Sequence, residues 1–327
     1  LPWQQPRTLY RVWLAEVMLQ QTQVKTVIPY YQNFTRVFPS LKKLAEASQD
    51  QVLAHWAGLG YYSRARNLHK AAQLIQCDYK GRIPRDFDSL LALPGIGPST
   101  AAAILSQALD QRHVILDGNV KRVLARYHAI DGWPGQPAVE QQLWQFAEQH
   151  TPGSHNTDYT QAIMDLGATL CRRSKPDCDH CPLTADCQAL AQGRVSEFPA
   201  ARPRKVMPVK AARMLLLANA EGAIMLEKRP PSGIWGGLWS LPELTMEDDI
   251  ADACKQRWGV QVQSSRDGLM LRHSFSHYHF DITPCEVRCK VLTRISDDAA
   301  LHWYRPEKTR RLGLATPVKR ILDQYAR

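Results

Sequence analysis

A chain of 327 residues exceeds a typical single-core domain, so two domains are expected. Its 41 Lys and Arg against 31 Asp and Glu leave a net charge of +10, which favours a polyanionic partner such as nucleic acid or an acidic membrane surface. No apolar run is long enough to span a membrane, and the opening Leu1 to Arg7 lacks the apolar core of a secretory signal, so a cytoplasmic protein is expected.

From Thr8 to Cys187 the predicted elements are mostly helical: Leu9, Val12, Trp13 and Val17, then Leu53 and Trp56, then Leu68, Ala72 and Ile75 recur at helix-face intervals. In the first of these helices Glu16 stands among apolar neighbours in Glu16-Val17-Met18-Leu19-Gln20-Gln21-Thr22, surroundings that raise a carboxyl pKa; a solvated Glu on an amphipathic helix is the ordinary alternative. Further along, a short helix from Asp88 to Leu93 and an Ala-rich one from Ser99 to Leu109 flank Pro94-Gly95-Ile96-Gly97-Pro98. This is the pattern of a helix-hairpin-helix, in which Gly95 and Gly97 let the backbone turn and offer N–H groups to a DNA phosphate. An apolar stretch from His113 to Leu116 then delivers Asp117 to the start of a basic helix containing Lys121 and Arg122. Helix capping is the simpler role for that carboxylate.

Cys171, Cys178, Cys181 and Cys187 follow as C-x6-C-x2-C-x5-C, close enough along the chain to surround one metal centre. Spacing alone leaves four-Cys zinc and iron–sulfur equally open, and a disulfide framework does not suit a cytoplasmic protein. Arg172, Arg173 and Lys175 beside the loop suit phosphate contact. Cys77, Cys254, Cys285 and Cys289 are scattered among apolar neighbours and are expected to be buried thiols.

Pro199, Pro203 and Pro208 among basic residues mark a linker, taken as 191–208, between a helical domain at 1–190 and a second domain at 209–327. In the second, Met214 to Leu217, Ala223 to Leu226 and Phe280 to Val287 read as short strands, so an α+β domain is expected.

Hairpin, acid and four-Cys loop in this order resemble the helix-hairpin-helix glycosylase superfamily over residues 8–190, and the Cys spacing matches the [4Fe-4S] loop of the endonuclease III and MutY glycosylases. The stretch from Glu16 to Val24 matches the MutY motif of adenine DNA glycosylases. Ser99 stands where bifunctional members carry the Lys that attacks the sugar. The resemblance implies a two-domain protein: an all-α glycosylase domain with a [4Fe-4S] loop, then an α+β Nudix- or MutT-like domain. It further implies a monomer that removes adenine opposite 8-oxoguanine or guanine in duplex DNA, working at the nucleoid. Glu16 would be the general acid and Asp117 the anion that stabilises an oxocarbenium-like sugar, directly or through a transient covalent bond, with Asn119 orienting both. Trp3, Gln161 and Ser99 would line the adenine pocket. Gln20 and Tyr61, in Gly58-Leu59-Gly60-Tyr61-Tyr62, would wedge into the duplex at some cost in unstacking.

Gly237 to Glu243 resembles the opening of a Nudix box, but its later glutamate positions fall on Lys255, Gln256 or Arg257, which cannot hold a hard cation. The domain is therefore expected to recognise rather than hydrolyse, with Phe275, Ser276 and His277 facing 8-oxoguanine. Three rivals stay open: a zinc-dependent DNA-binding regulator, a Nudix hydrolase with a DNA-binding extension, and an endonuclease III relative acting on oxidised pyrimidines.

Overall fold

The computed structural model describes residues 1–203, 206–292, 300–305 and 312–325. The chain divides into two compact units: Leu1–Glu46 with Asn67–Arg204, and Ala47–Arg66 with Lys205–Arg327.

The first unit is helical. Along the chain come α1 (Leu9–Leu19), α2 (Val24–Val37) and α3 (Leu41–Glu46), then α4 (Gln49–Trp56), which belongs to the second unit, α5 (Ser63–Asp78), whose first turn also belongs there, α6 (Phe87–Leu91), α7 (Pro98–Leu109), α8 (Gly118–Tyr127), α9 (Pro137–His150), α10 (Asn156–Asp165) and α11 (Gln188–Ala191). The Thr8 side chain caps α1 by accepting from the Arg11 amide. Ala101, Ala102 and Ala103 in α7 are buried, and their small side chains let neighbouring helices approach closely. One core gathers Ala102 and Ala103 of α7, Leu116 just ahead of α8, Val120 and Leu124 of α8, and Leu143 of α9. A π-helical turn, Leu166–Leu170, prolongs α10. There a Cβ on Gly167 would lie 2.6 Å from the Asn119 Cβ, so the turn can rest on the α8 start only because that residue is glycine.

The second unit is built on a mixed sheet. It comprises β1 (Val209–Ala218), β2 (Ile224–Lys228), β3 (Trp239–Ser240), β4 (Glu243–Leu244), β5 (Val260–Asp267), β6 (Leu271–Ser274), β7 (His279–Val291) and β8 (Leu301–Tyr304), with helices α12 (Ile250–Trp258) and α13 (Thr316–Tyr325). The path runs β3-β2-β1-β7-β5, with β4 on β1, β6 on β7 and β8 on β2. β1 and β7 run parallel, from Val209 opposite His279 to Ala218 opposite Arg288. Leu215, Leu217, Met225, Cys254, Trp258 and Val287 fill the core on one face. The apolar runs read from the sequence fall in β1, β2 and β7, apart from Ala223 just ahead of β2, and both long strands extend past them to include exposed residues such as Lys210 and Lys290.

Two features depart from the sequence-based boundaries. Residues 47–66, expected in the helical domain, pack with the C-terminal chain: Lys228 pairs with Asp50 at 2.9 Å, Arg66 donates to the Gly236 carbonyl at 2.7 Å, and the Tyr62 hydroxyl donates to the Leu314 carbonyl at 3.4 Å. The expected linker also starts later than residue 191, because Phe198 is buried and its carbonyl accepts from Arg126 at 2.9 Å. Cys254, Cys285 and Cys289 are buried as expected, but Cys77 is exposed. Among the described residues no helix is long and apolar enough to cross a membrane.

Candidate active site

Glu16 lies on α1 and Gln107 on α7, and the Gln107 amide donates to Glu16 Oε1 at 2.7 Å. The Glu16 side chain is half-buried and densely surrounded by protein. Burial pushes its pKa up to about 7; the Gln107 hydrogen bond opposes that rise and the nearby Asp117 charge adds to it. Gln107 was not anticipated from the sequence. Its signal was an amide side chain in the mostly apolar stretch from Ala101 to Leu109, and it is 3% exposed.

Asp117 caps α8, as its simplest reading required: Oδ1 accepts from the amides of Asn119 at 3.0 Å and Val120 at 2.8 Å. The Asn119 side chain donates to Oδ2 at 3.3 Å. Burial raises the Asp117 pKa; the hydrogen bonds from Val120 and Asn119 and the Arg122 charge counteract this without reversing it. Ser99, at the start of α7, accepts from the Leu116 amide at 3.1 Å and so braces the stretch that delivers Asp117. It presents a hydroxyl where an amine nucleophile would be needed.

Arg122, read from the sequence as part of a basic helix, and Arg126, one turn further along it, make their contacts within the protein. Arg122 donates to Asn119 Oδ1 at 2.9 Å and to the Cys171 carbonyl at 2.8 Å, bridging the Asp117 cap and the four-Cys loop. Lys121 is paired with Glu140. Arg126 is 3% exposed and donates to Cys171 Sγ at 3.3 Å and to the Arg172 carbonyl at 2.7 Å. Cys171, Cys178, Cys181 and Cys187 are all unbridged and line one pocket. Burial raises the Cys178 pKa, and the other three thiols raise it further, as expected of sulfurs that converge. Arg172, Arg173 and Lys175 lie exposed beside them.

The two hairpin glycines differ. Gly95 has φ +80°, and a Cβ there would lie 2.8 Å from the Asn67 Cβ, so the turn requires glycine. Gly97 has φ −96° as the cap of α7, with open space where a Cβ would point. Its smallness therefore leaves room at a helix start of the kind that takes a phosphate. Gln20, at the end of α1, donates to Thr100 Oγ1 at 3.3 Å and to the Gly95 carbonyl at 3.4 Å, which brings it to the hairpin. Trp3 is buried edge-on against Tyr31. Gln161 donates to Asp165 at 2.9 Å while its Oε1 is buried without a hydrogen-bond donor. Tyr61, in the other unit, is 50% exposed with φ +48°, and the Arg64 guanidinium lies 5.3 Å from its ring centre.

Residues 14–149 match the HhH-GPD superfamily of base excision DNA repair proteins, and residues 213–324 match the NUDIX domain. The chain is 36% identical to an adenine DNA glycosylase of Buchnera aphidicola, over 99% of this chain and 93% of that one. It is 33% identical to that of Homo sapiens, over 99% and 71% respectively. The chain belongs to the adenine DNA glycosylase family. Among solved structures, a thermostable thymine-DNA glycosylase is 27% identical with a TM-score of 0.53, covering 58% of this chain and 88% of that one. An endonuclease III–DNA complex, 22% identical with a TM-score of 0.50 over 57% and 86%, shares the fold. The expected fold class, a helical glycosylase domain followed by a Nudix-like one, is borne out. Full-length likeness to adenine DNA glycosylases sets aside the regulator, Nudix hydrolase and endonuclease III readings.

In the Nudix-like unit of this adenine DNA glycosylase family member, α12 carries Lys255, Gln256 and Arg257 where metal-binding glutamates would lie, and Arg257 donates to the Glu243 carbonyl. No group of three His, Cys, Asp or Glu side chains among the described residues is arranged to hold a single metal ion. Phe275, Ser276 and His277 form the turn between β6 and β7, closed by the Phe275 amide donating to the Tyr278 carbonyl at 2.9 Å. Ser276 and His277 are exposed at its tip and Phe275 is half-buried, so the glycosylase presents two polar side chains on an aromatic base.

Proposed function

We propose that this chain releases adenine paired with 8-oxoguanine or guanine from duplex DNA, as a monofunctional glycosylase. The observation that carries the reading is Glu16, a half-buried carboxyl group with its pKa pushed up to about 7 and a second carboxylate, Asp117, close enough to influence it. A neutral Glu16 donates its proton to adenine N7; the C1′–N9 electron pair then leaves with a neutral base. Ionised Asp117 stabilises the positive charge left on the sugar, and water adds to C1′, losing a proton and leaving an abasic site. The unpartnered Gln161 Oε1 is suited to accept from the adenine amino group, and buried Trp3 supplies apolar surface in the same unit. Ser276, able both to donate and to accept, suits the N7 hydrogen and O8 that distinguish 8-oxoguanine from guanine.

Base release is tested on duplexes holding adenine opposite 8-oxoguanine. Strands should stay intact until alkali or heat breaks the abasic site, because Ser99 offers no amine. Stoichiometric borohydride trapping of the unmodified chain on DNA would contradict this.

The four cysteines fit a [4Fe-4S] cluster: four unbridged thiols line one pocket, with the buried Arg126 guanidinium donating to Cys171 Sγ. Such a cluster would cross-link the loop and supply one-electron chemistry, while base release needs only the side chains above. The purified protein is expected to contain iron and acid-labile sulfide with broad visible absorption, and Cys178→Ala to lose both along with folding or DNA binding. Stoichiometric zinc in place of iron would sink the assignment.

A further inference from the structure

The loop between β2 and β3 carries Trp235, which is 7% exposed and has φ +54°, a backbone conformation that a bulky side chain adopts only when its surroundings impose it. The surroundings do so here. The Leu238 amide donates to the Trp235 carbonyl at 2.9 Å and the Gly237 amide to the Pro230 carbonyl at 2.9 Å. On the next residue, Arg66 grips the Gly236 carbonyl at 2.7 Å. Gly236 could not carry a Cβ, which would meet the Pro231 carbonyl oxygen at 2.8 Å.

The indole held this way lies under the β6–β7 turn. Its ring centre is 5.5 Å from Phe275, 5.7 Å from His273 and 6.0 Å from Phe280, so it touches the turn and the strand on either side of it. Phe275 rests on Trp235 from one direction and on Tyr278, at 4.8 Å, from another. Ser276 and His277 are joined to the fold through this aromatic base, since their own side chains are exposed. We propose that Trp235 is a positioning residue for recognition of the base opposite adenine: it fixes Phe275, and through Phe275 the height and angle at which Ser276 and His277 meet the DNA. This rests on the reading of the turn as the 8-oxoguanine contact.

Single-turnover excision of adenine opposite 8-oxoguanine and opposite guanine is measured for Trp235→Ala, Trp235→Leu, Trp235→Phe, Ser276→Ala and the Trp235→Leu, Ser276→Ala double variant. Taking the ratio within one preparation cancels any loss of active protein. The Ala and Leu variants are expected to lose about tenfold of the 8-oxoguanine preference, the size of one lost aromatic support, with the rate opposite guanine within about twofold of the parent. Trp235→Phe, which keeps an aromatic face, should retain most of the preference, and the double variant should lose no more than Ser276→Ala alone. If Trp235→Ala does not fold, the Leu and Phe variants decide by the same ratio. An unchanged ratio in Trp235→Leu while Ser276→Ala loses preference would overturn the role of Trp235 and leave the turn as the reader. Equal slowing opposite both bases, or additive losses in the double variant, would likewise overturn it. An unchanged ratio in Ser276→Ala would remove the reading of the turn itself, and the proposal with it.

Discussion

Glu16→Gln is expected to lower single-turnover adenine release by about 10³-fold, the usual scale for removing a positioned general acid. The substitution keeps size and hydrogen-bonding capacity while removing the transferable proton, so duplex binding should survive. The pH profile carries the sharper test. With the Glu16 pKa at about 7, the proton-bearing form disappears as pH rises through that value, and the rate should fall with it. On the acidic side the rate should fall as Asp117 becomes protonated, at a pH above the ordinary aspartate range because burial raises its pKa. The two groups interact, so the limbs of the profile belong to the pair. A variant turning over within tenfold of the parent would show that another group supplies the proton.

The same shift makes a stability statement. The folded protein holds the Glu16 proton up to about pH 7, whereas the unfolded chain releases it near the ordinary value of 4.5. Between those values the folded state binds more protons, so stability falls as pH rises, and above 7 the whole contribution is lost. The displacement corresponds to roughly 3 kcal/mol at most. Glu16→Gln removes this burden and should raise Tm at pH 8 relative to the parent, with the gap closing toward pH 4.5. A carboxyl held for catalysis at the expense of stability is the expected trade at such a site.

Asp117→Asn is the second substitution expected to abolish base release, by about 10³-fold or more, because it removes the negative charge facing the developing sugar cation. Its value as a test lies in what it spares. Asn is as good a helix cap as Asp, so the bonds from the Asn119 and Val120 amides to Oδ1 can persist and α8 should keep its start. Tm should move little or rise, since burial disfavours the charge that is being removed. Asp117→Ala is the contrast: it loses the charge and the cap together and should also lose roughly 1 kcal/mol of stability. Affinity for a duplex containing an uncleavable adenine analogue should hold in the Asn variant. Adenine release at a parental rate by Asp117→Asn would assign the residue to capping alone.

Much of the site was legible because its signals are local. Glu16 stood out as a charge inside an apolar helix face, the four Cys by their spacing, and Gly95 by the tight turn between two helices. Each of these depends on residues a few positions apart, which backbone geometry brings together in any fold that keeps the helix or turn. Gln107 was not legible as the Glu16 partner: it is 91 residues away, and only the packing of α7 on α1 joins them. The inward contacts of the basic α8 residues were not legible for a similar reason. Charge in a sequence reads as surface, yet Arg126 is buried against the four-Cys loop and Arg122 is spent on Asn119 and Cys171.

By itself, the sequence indicated a helical half and an α+β half, an acid set in an apolar helix face, another at a helix start, and four closely spaced cysteines. Periodicity, turn chemistry and short spacings are carried by the chain itself. The tertiary structure alone decided that desolvation outweighs the hydrogen bonds at Asp117, that residues 47–66 pack with the C-terminal unit, and that Trp235 lies beneath Phe275. Burial and long-range contact depend on everything that surrounds a group, and residues distant along the chain supply those surroundings only once it has folded.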